Sequence, residues 1–304
     1  MFTLLANLRG SKEYFCKLGM EIRWMIRQLG PPTLLLTCSS AEWFSAPLIE
    51  HLSTIKKDAV NNTDKMTPAE LCALDPVTAS IHFHKKWHSM FKQLINAKEN
   101  GIFGTVQDFF WRIEYQARGA PHMHCVLWIK DAPILGQNTA EEVQNFINKV
   151  CTCAKPDATK SPTLSQLVSQ FQMHKCNSYC QKSYKRNGKY CKKCRFGFPR
   201  PPKQETEIHS LIDCLAVAKN KQPRKRLYQL RRSTDEAQIN DYNPALLLAN
   251  QGNVDVQFIG HLGSRLPYYI TSYITKYERS EVDKFWSDIY SAGRSLGSNA
   301  MSFM

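Results

Sequence analysis

The sequence predicts an α+β protein: an antiparallel hairpin set among helices, with a small Cys/His unit inserted after it. Three observations predict it. Residues 104–116 alternate apolar and polar side chains and lead through a turn into a second apolar run ending at Trp128, the mark of paired strands. Residues 12–29 and 78–97 instead repeat their apolar side chains at helical spacing. His174, Cys176, Cys180, Cys191 and Cys194 crowd five soft ligands into one short stretch.

In chain order, the first helix spans 12–29, with Tyr14, Phe15, Leu18, Ile22, Met25, Ile26 and Leu29 on one face and Gly30 and a Pro pair closing it. PTLLLTC, 32–38, reads as a short buried strand. Residues 39–43 read as the start of a helix running towards Leu52, and 56–68 as a polar loop. The 78–97 helix is expected to bury Ile81, Trp87, Met90, Phe91, Leu94 and Ile95. Its His82 and His84 lie ~200° apart and cannot share an ion, whereas His84 and His88, four apart, can. Solvated or capping histidines are the commoner outcome on a basic helix.

In the hairpin, Phe109, Trp111, Ile113 and Tyr115 alternate with Asp108, Arg112, Glu114 and Gln116. Across a turn containing Arg118 and Gly119, His122 and His124 stand one residue apart at the head of the second strand. Successive side chains of a strand point to opposite faces, so the two imidazoles project side by side, the geometry of two ligands on one metal ion. An odd number of loop residues sets even positions opposite even ones. A five-residue loop then places Gln116 opposite His122 and Glu114 opposite His124, and either can be the third ligand. Arg112 and Arg118 are the nearest cations for a phosphate.

Beyond the hairpin come a helix at Ala140–Val150, a Lys/Pro/Thr-rich linker and a helix around Leu164–Phe171. Zinc prefers four Cys/His ligands in a closed tetrahedral set; His174, Cys176, Cys180 and Cys194 are the favoured four, with Cys191 as a replacement for one. Reduced, unliganded cysteines are the plain alternative. A basic run, Lys219–Arg232, and a strand, Val254–Ile259, follow. Pro267 suits a helix start, and on such a helix Tyr269, Tyr273 and Tyr277 share one face with Lys276 beside them. A phenol oxygen on such a stripe can attack phosphorus; an aromatic face packed in the core is the bland reading. The chain thus divides into 1–155 with the histidine hairpin, a zinc-binding insertion at 156–205, and 206–304 with the tyrosines.

Composition narrows the partners. Forty Lys and Arg against 26 Asp and Glu give 304 residues a net charge of +14 and a pI near 9.3, which favours a polyanion, most often nucleic acid. No apolar run reaches the ~18 residues of a membrane span, and the N-terminus shows no secretory leader. Eleven cysteines, an odd number, in a chain without an export signal point to metal chemistry rather than disulfides.

PTLLLTCS at 32–39, EYQARGAPHMHCVLW at 114–128 and YITKY at 273–277 stand in that order. Together they resemble the N-terminal replication-initiator-like domain of Helitron rolling-circle transposases, among the HUH endonucleases, where U is a hydrophobic residue. LRGSKEYF, MIRQLGPPT, DPVTASIHFHKKW, RFGFP and NVDVQFI look like the same family, so the resemblance spans nearly the whole chain. It implies a central antiparallel sheet flanked by helices and a single-stranded DNA nickase and strand transferase. His122 and His124 become ligands of Mg²⁺ or Mn²⁺, with Gln116 favoured as third ligand and Glu114 behind it. Tyr273 and Tyr277 become nucleophiles leaving a 5′-phosphotyrosine and a free 3′-hydroxyl, with Lys276 by the phosphate. The expected partner is single-stranded DNA, with no membrane and no small-molecule substrate. The expected location is nuclear in a eukaryote, otherwise cytoplasmic. Helitron transposases carry a helicase after this domain, and no G-x-x-x-x-G-K-[ST] loop occurs here, so the chain is a fragment, depends on a separate helicase, or is a remnant. The rival expectation is a catalytically inactive, zinc-stabilised module that grips nucleic acid.

Overall fold

A computed structural model describes residues 6–7, 11–56, 66–98, 101–115, 119–186, 189–209 and 227–260. The chain divides into two compact units, Met1–Gly30 with Ser264–Met304, and Pro31–Gly263. In the first unit helix α1, Lys12–Leu29, has the expected bounds. Ser11 caps it by accepting from the Tyr14 N–H, and Gly30, at φ +80°, ends it.

The second unit is built on strand β1, Leu34–Ser39. A 3₁₀ turn, Glu42–Phe44, separates it from helix α2, Ala46–Lys56. The single helix expected from 39 onward is therefore broken, because Ala41 adopts left-handed backbone, φ 46°, which a right-handed helix cannot include. Helix α3, Pro68–Leu74, opens on a Thr67/Glu70 capping box. Helix α4, Pro76–Met90, continues through a π turn, Phe91–Ile95.

One expectation for α4 fails: Ile81 is exposed, and Phe83 joins the expected Trp87 and Met90 in facing the core. Phe83, Trp87 and Met90 follow at helical steps, while Ile81 lies ~200° from Phe83. A single buried stripe cannot take both. His84 and His88 stack at 6.1 Å and lie edge-on to Trp111, with ring centroids 6.5 and 5.1 Å away.

Strands β2, Val106–Tyr115, and β3, Pro121–Ile129, form the hairpin. Helix α5, Ala140–Val150, has the expected bounds and a Thr139/Glu142 capping box. Helix α6, Pro162–Leu167, ends in a π turn, Val168–Gln172. Strands β4, Gln181–Arg186, and β5, Lys189–Cys194, pair as a second hairpin. Two-residue strands β6, Glu207–Ile208, and β7, Tyr228–Gln229, pair with each other. Helix α7, Pro244–Asn250, then leads to strand β8, Val254–Phe258.

The main sheet runs β2-β3-β1-β8, antiparallel throughout. Leu34, Leu36, Cys38, Met123, Cys125, Leu127, Val254, Val256 and Phe258 form one continuous core with Phe83 and Trp87 of α4, Val143 and Ile147 of α5 and Leu246 and Leu247 of α7. Leu35, Val126 and Trp128 are buried as well, so the inner strands are covered on both faces. That is why they read as nearly unbroken apolar runs.

Candidate metal and nucleic-acid site

Strand β3 lies between β2 and β1, so its histidines have a neighbour on either side. Five residues, 116–120, separate β2 from β3, as expected, but the register does not follow the expectation. Tyr115 pairs with Pro121, Glu114 with His122 and Arg112 with His124. Proline is tolerated as the first residue of a strand, and entry at Pro121 moves every pair by two residues. The parity survives, so Arg112, Glu114, His122 and His124 share one face. Gln116 and Arg118 lie outside the described residues, as do Tyr273, Lys276 and Tyr277.

His124 is 5 % exposed, and its Nε2 stands 2.9 Å from Glu114 Oε2. Its Nδ1 is buried with no hydrogen-bond partner among the described residues. Leaving such an atom unsatisfied costs about 1–3 kcal/mol. The His122 and His124 rings are 4.8 Å apart between centroids. On the other side β1 sets Ser39 opposite His122 and Thr37 opposite His124, and Ser39 Oγ lies 3.1 Å from His122 Nδ1. The Ser39 backbone is tied on both sides: its N–H donates to the Asn253 carbonyl at 2.9 Å and its carbonyl accepts from Asn250 Nδ2 at 3.1 Å. Sequence reasoning missed the Ser39 contact. The motif around Ser39 was visible, but its partner is 83 residues away and no local period encodes that pairing.

Two imidazoles and a carboxylate can hold a divalent ion. Two ligand atoms on adjacent vertices of an octahedron with ~2.0–2.1 Å bonds are about 2.9 Å apart, the spacing that His124 and Glu114 already keep. Ser39 Oγ engages His122 Nδ1, the kind of hydrogen bond that commonly orients a metal-bound histidine.

The second cluster is a different chemistry. One ligand atom each from His174, Cys176, Cys180 and Cys194 lie within 4.8 Å of one another, so this His/Cys group can hold a metal ion such as zinc. Cys191, the alternative ligand, sits on β5 opposite Tyr184 and is not in the group. The Asn177 N–H points at Cys180 Sγ at 3.2 Å, and Cys194 Sγ is 3.3 Å from His174 Nε2. Phe198 stacks on His174 at 4.5 Å and 16°. Burial raises the Cys194 thiol, but the backbone N–H groups of Phe198 and Phe196 together with the Cys176 and Cys180 thiols outweigh it and hold that thiol below its ordinary value.

The hairpin hung on this cluster is basic and aromatic. Tyr179 and Tyr190 are 72 and 80 % exposed. The Arg195 guanidinium lies over Tyr179 at 3.8 Å and Phe196 at 4.6 Å, and Lys185 lies 5.9 Å from the Tyr190 ring. From Lys175 to Gln204 the chain has no Asp or Glu. Such a surface offers ring faces for bases and cations for phosphates.

Residues 1–127 match the family model described as the Helitron helicase-like domain at the N-terminus, and residues 75–195 match one described as a replication-associated protein. Both matched segments contain His122 and His124. These matches agree with the resemblance read from the motifs and support a role in rolling-circle replication or transposition. No curated protein matches the chain. Among the described residues, no helix is long and apolar enough to cross a membrane.

Proposed function

We propose that this chain is a divalent-metal-dependent endonuclease that nicks single-stranded DNA and transfers the strand through a tyrosine. The observation that carries the reading is the histidine pair on β3 with Glu114 Oε2 2.9 Å from His124 Nε2. His122 and His124 would hold Mg²⁺ or Mn²⁺, with Glu114, whose Oε2 is at His124, taken here as third ligand where the motifs favoured Gln116. The ion supplies Lewis-acid polarisation of the phosphoryl oxygens. Arg112, on the same face, neutralises phosphate charge, and Ser39 keeps His122 oriented.

Tyr273 or Tyr277, read from the resemblance, is the nucleophile. Its oxygen loses a proton and bonds to phosphorus, the P–O3′ bond breaks, and the 3′-oxygen leaves as a hydroxyl. Lys276, read from the same resemblance, would offset the phosphate charge. Two tyrosines allow two successive transfers. The His174 cluster, with zinc bound, holds the β4–β5 hairpin as a nucleic-acid grip, and a separate helicase is the expected partner.

A labelled single-stranded oligonucleotide incubated with Mn²⁺ and run on a denaturing gel tests this. A slower protein–DNA band is expected, absent in the Tyr273→Phe, Tyr277→Phe double variant. Cleavage without an adduct would falsify the tyrosine step. Binding without cleavage would establish the second reading, a non-catalytic grip, which the exposed Tyr179 and Tyr190 beside Arg195 and Lys185 favour.

A further inference from the structure

Beside Ser39 the chain opens a cleft of about 200 Å³ lined by Ser39, Ala41, Glu42, Trp43, Phe44, Phe171 and Asn253. Phe44 and Phe171 meet edge-to-face at 5.3 Å and 82°. Trp43 and Phe44 are 41 and 59 % exposed. They sit on the 3₁₀ turn that follows left-handed Ala41, a conformation that costs a non-glycine residue about 1 kcal/mol or more. The turn is held from below. A Cβ on Gly252 would meet Ala41 Cβ at 2.7 Å and the Ser39 carbonyl at 2.8 Å, so only glycine allows this approach. Ser40 Oγ donates to the Glu42 carboxylate, and Asn253 Nδ2 donates to the Phe171 carbonyl at 2.8 Å. The chain thus keeps two large rings in water on a constrained turn.

We infer that this cleft takes one unpaired nucleobase of the DNA strand whose phosphodiester lies at the histidine pair. The inference rests on the proposed nickase reading and adds a subsite to it. Three features carry it. The volume is below the ~300–1,000 Å³ of sites for drug-sized ligands, so a single flat ring system fills it. The walls combine aromatic faces with a carboxylate and an amide, which suits a base with its π surface and its polar edge. Ser39 belongs to both places: it lines the cleft and its hydroxyl touches His122, so the cleft adjoins the histidine pair. The chain's net charge of +14 draws the polyanion that carries the base.

The test uses the full chain with a single-stranded oligonucleotide in which every thymine is 5-iodouracil, which removes any dependence on register. After irradiation, mass spectrometry maps the adducts; they are expected at Trp43, Phe44 or Phe171. In parallel, Phe44→Ala is expected to weaken binding of the single strand by about 5- to 150-fold and to leave duplex binding unchanged. Phe44→Trp, which keeps a ring, is expected to retain affinity. A single strand that binds with adducts only elsewhere, and with Phe44→Ala at full affinity, overturns the subsite and leaves the nickase reading standing. A change in oligomeric state at unchanged DNA affinity overturns it in favour of a second copy in the cleft. Failure of the wild-type chain to bind single strands overturns both.

Discussion

Glu114 and His124 stand on adjacent strands, one diagonal step apart, and join at 2.9 Å through Oε2 and Nε2. Direct cross-strand partners on this face are Glu114 with His122 and Arg112 with His124. The carboxylate reaches past its own partner to the second histidine, which brings a hard oxygen to the more buried ring.

If these atoms share an ion, Glu114→Ala should lower Mn²⁺ affinity and adduct formation by at least about 10–100-fold. Gln116→Ala should do much less. Calorimetry with Mn²⁺ and the gel assay measure the two effects separately. The reverse ranking would return the third ligand to Gln116.

Ser39→Ala should leave the fold intact, since the Ser39 backbone keeps its bonds to Asn253 and Asn250. Its expected effect is on ion binding: the Mn²⁺ concentration for half-maximal nicking rises by about 10-fold or more, while the rate at saturating Mn²⁺ recovers. A rate that stays low at every Mn²⁺ concentration would assign Ser39 some other part.

Purified chain should carry one zinc per molecule at the His174 cluster. Cys194→Ser should lose it, and Cys191→Ser should keep it, because Cys191 stands outside the group. Chelation should expose residues 181–194 to protease, since this small hairpin is too slight to hold itself without the ion. Metal content by mass spectrometry and a timed digest check both statements.

Thiol reactivity should divide by burial. Desolvation pushes Cys38 and Cys153 up to about 12 and Cys72 to about 11, and raises Cys125 and Cys151 strongly. The thiolate is the reactive form. Iodoacetamide at pH 8 should therefore label exposed Cys16, outside the His174 cluster that includes exposed Cys176, first, and reach these five only after denaturation. Peptide mapping reads the order.

At the start of α5, Glu142 accepts from the Thr139 backbone N–H at 2.9 Å and from its hydroxyl at 2.9 Å. These bonds hold its carboxyl below the usual value. A depressed folded-state value means that the contribution is present at neutral pH and is lost as pH falls through that lowered value. The melting temperature of Glu142→Gln should lie below wild type at pH 7 and converge with it in acid. A gap that widens on acidification would contradict the assignment.

Local periods and ligand types were legible in the sequence. Helices α1 and α5, strand β3, the histidine pair and the four-residue His/Cys set follow from side-chain spacing, because helix and strand geometry act over a few residues. The same reasoning misassigned Ile81, since a periodic pattern names candidate faces and only packing against the sheet selects one. It also displaced the β2–β3 register by two residues, because parity constrains which face a residue takes but not how far one strand slides along another.

By itself, then, the sequence determined that two imidazoles share a strand face, that a soft-ligand cluster follows, and that the chain is cationic. The tertiary structure alone decided that β1 lies beside β3 so that Ser39 meets His122, and that Trp43, Phe44 and Phe171 line a cleft beside Ser39. The reason is physical: these contacts join segments tens of residues apart, and they are selected by inter-strand hydrogen bonding and burial of a common apolar face. No stretch of chain short enough to have a period of its own carries that information.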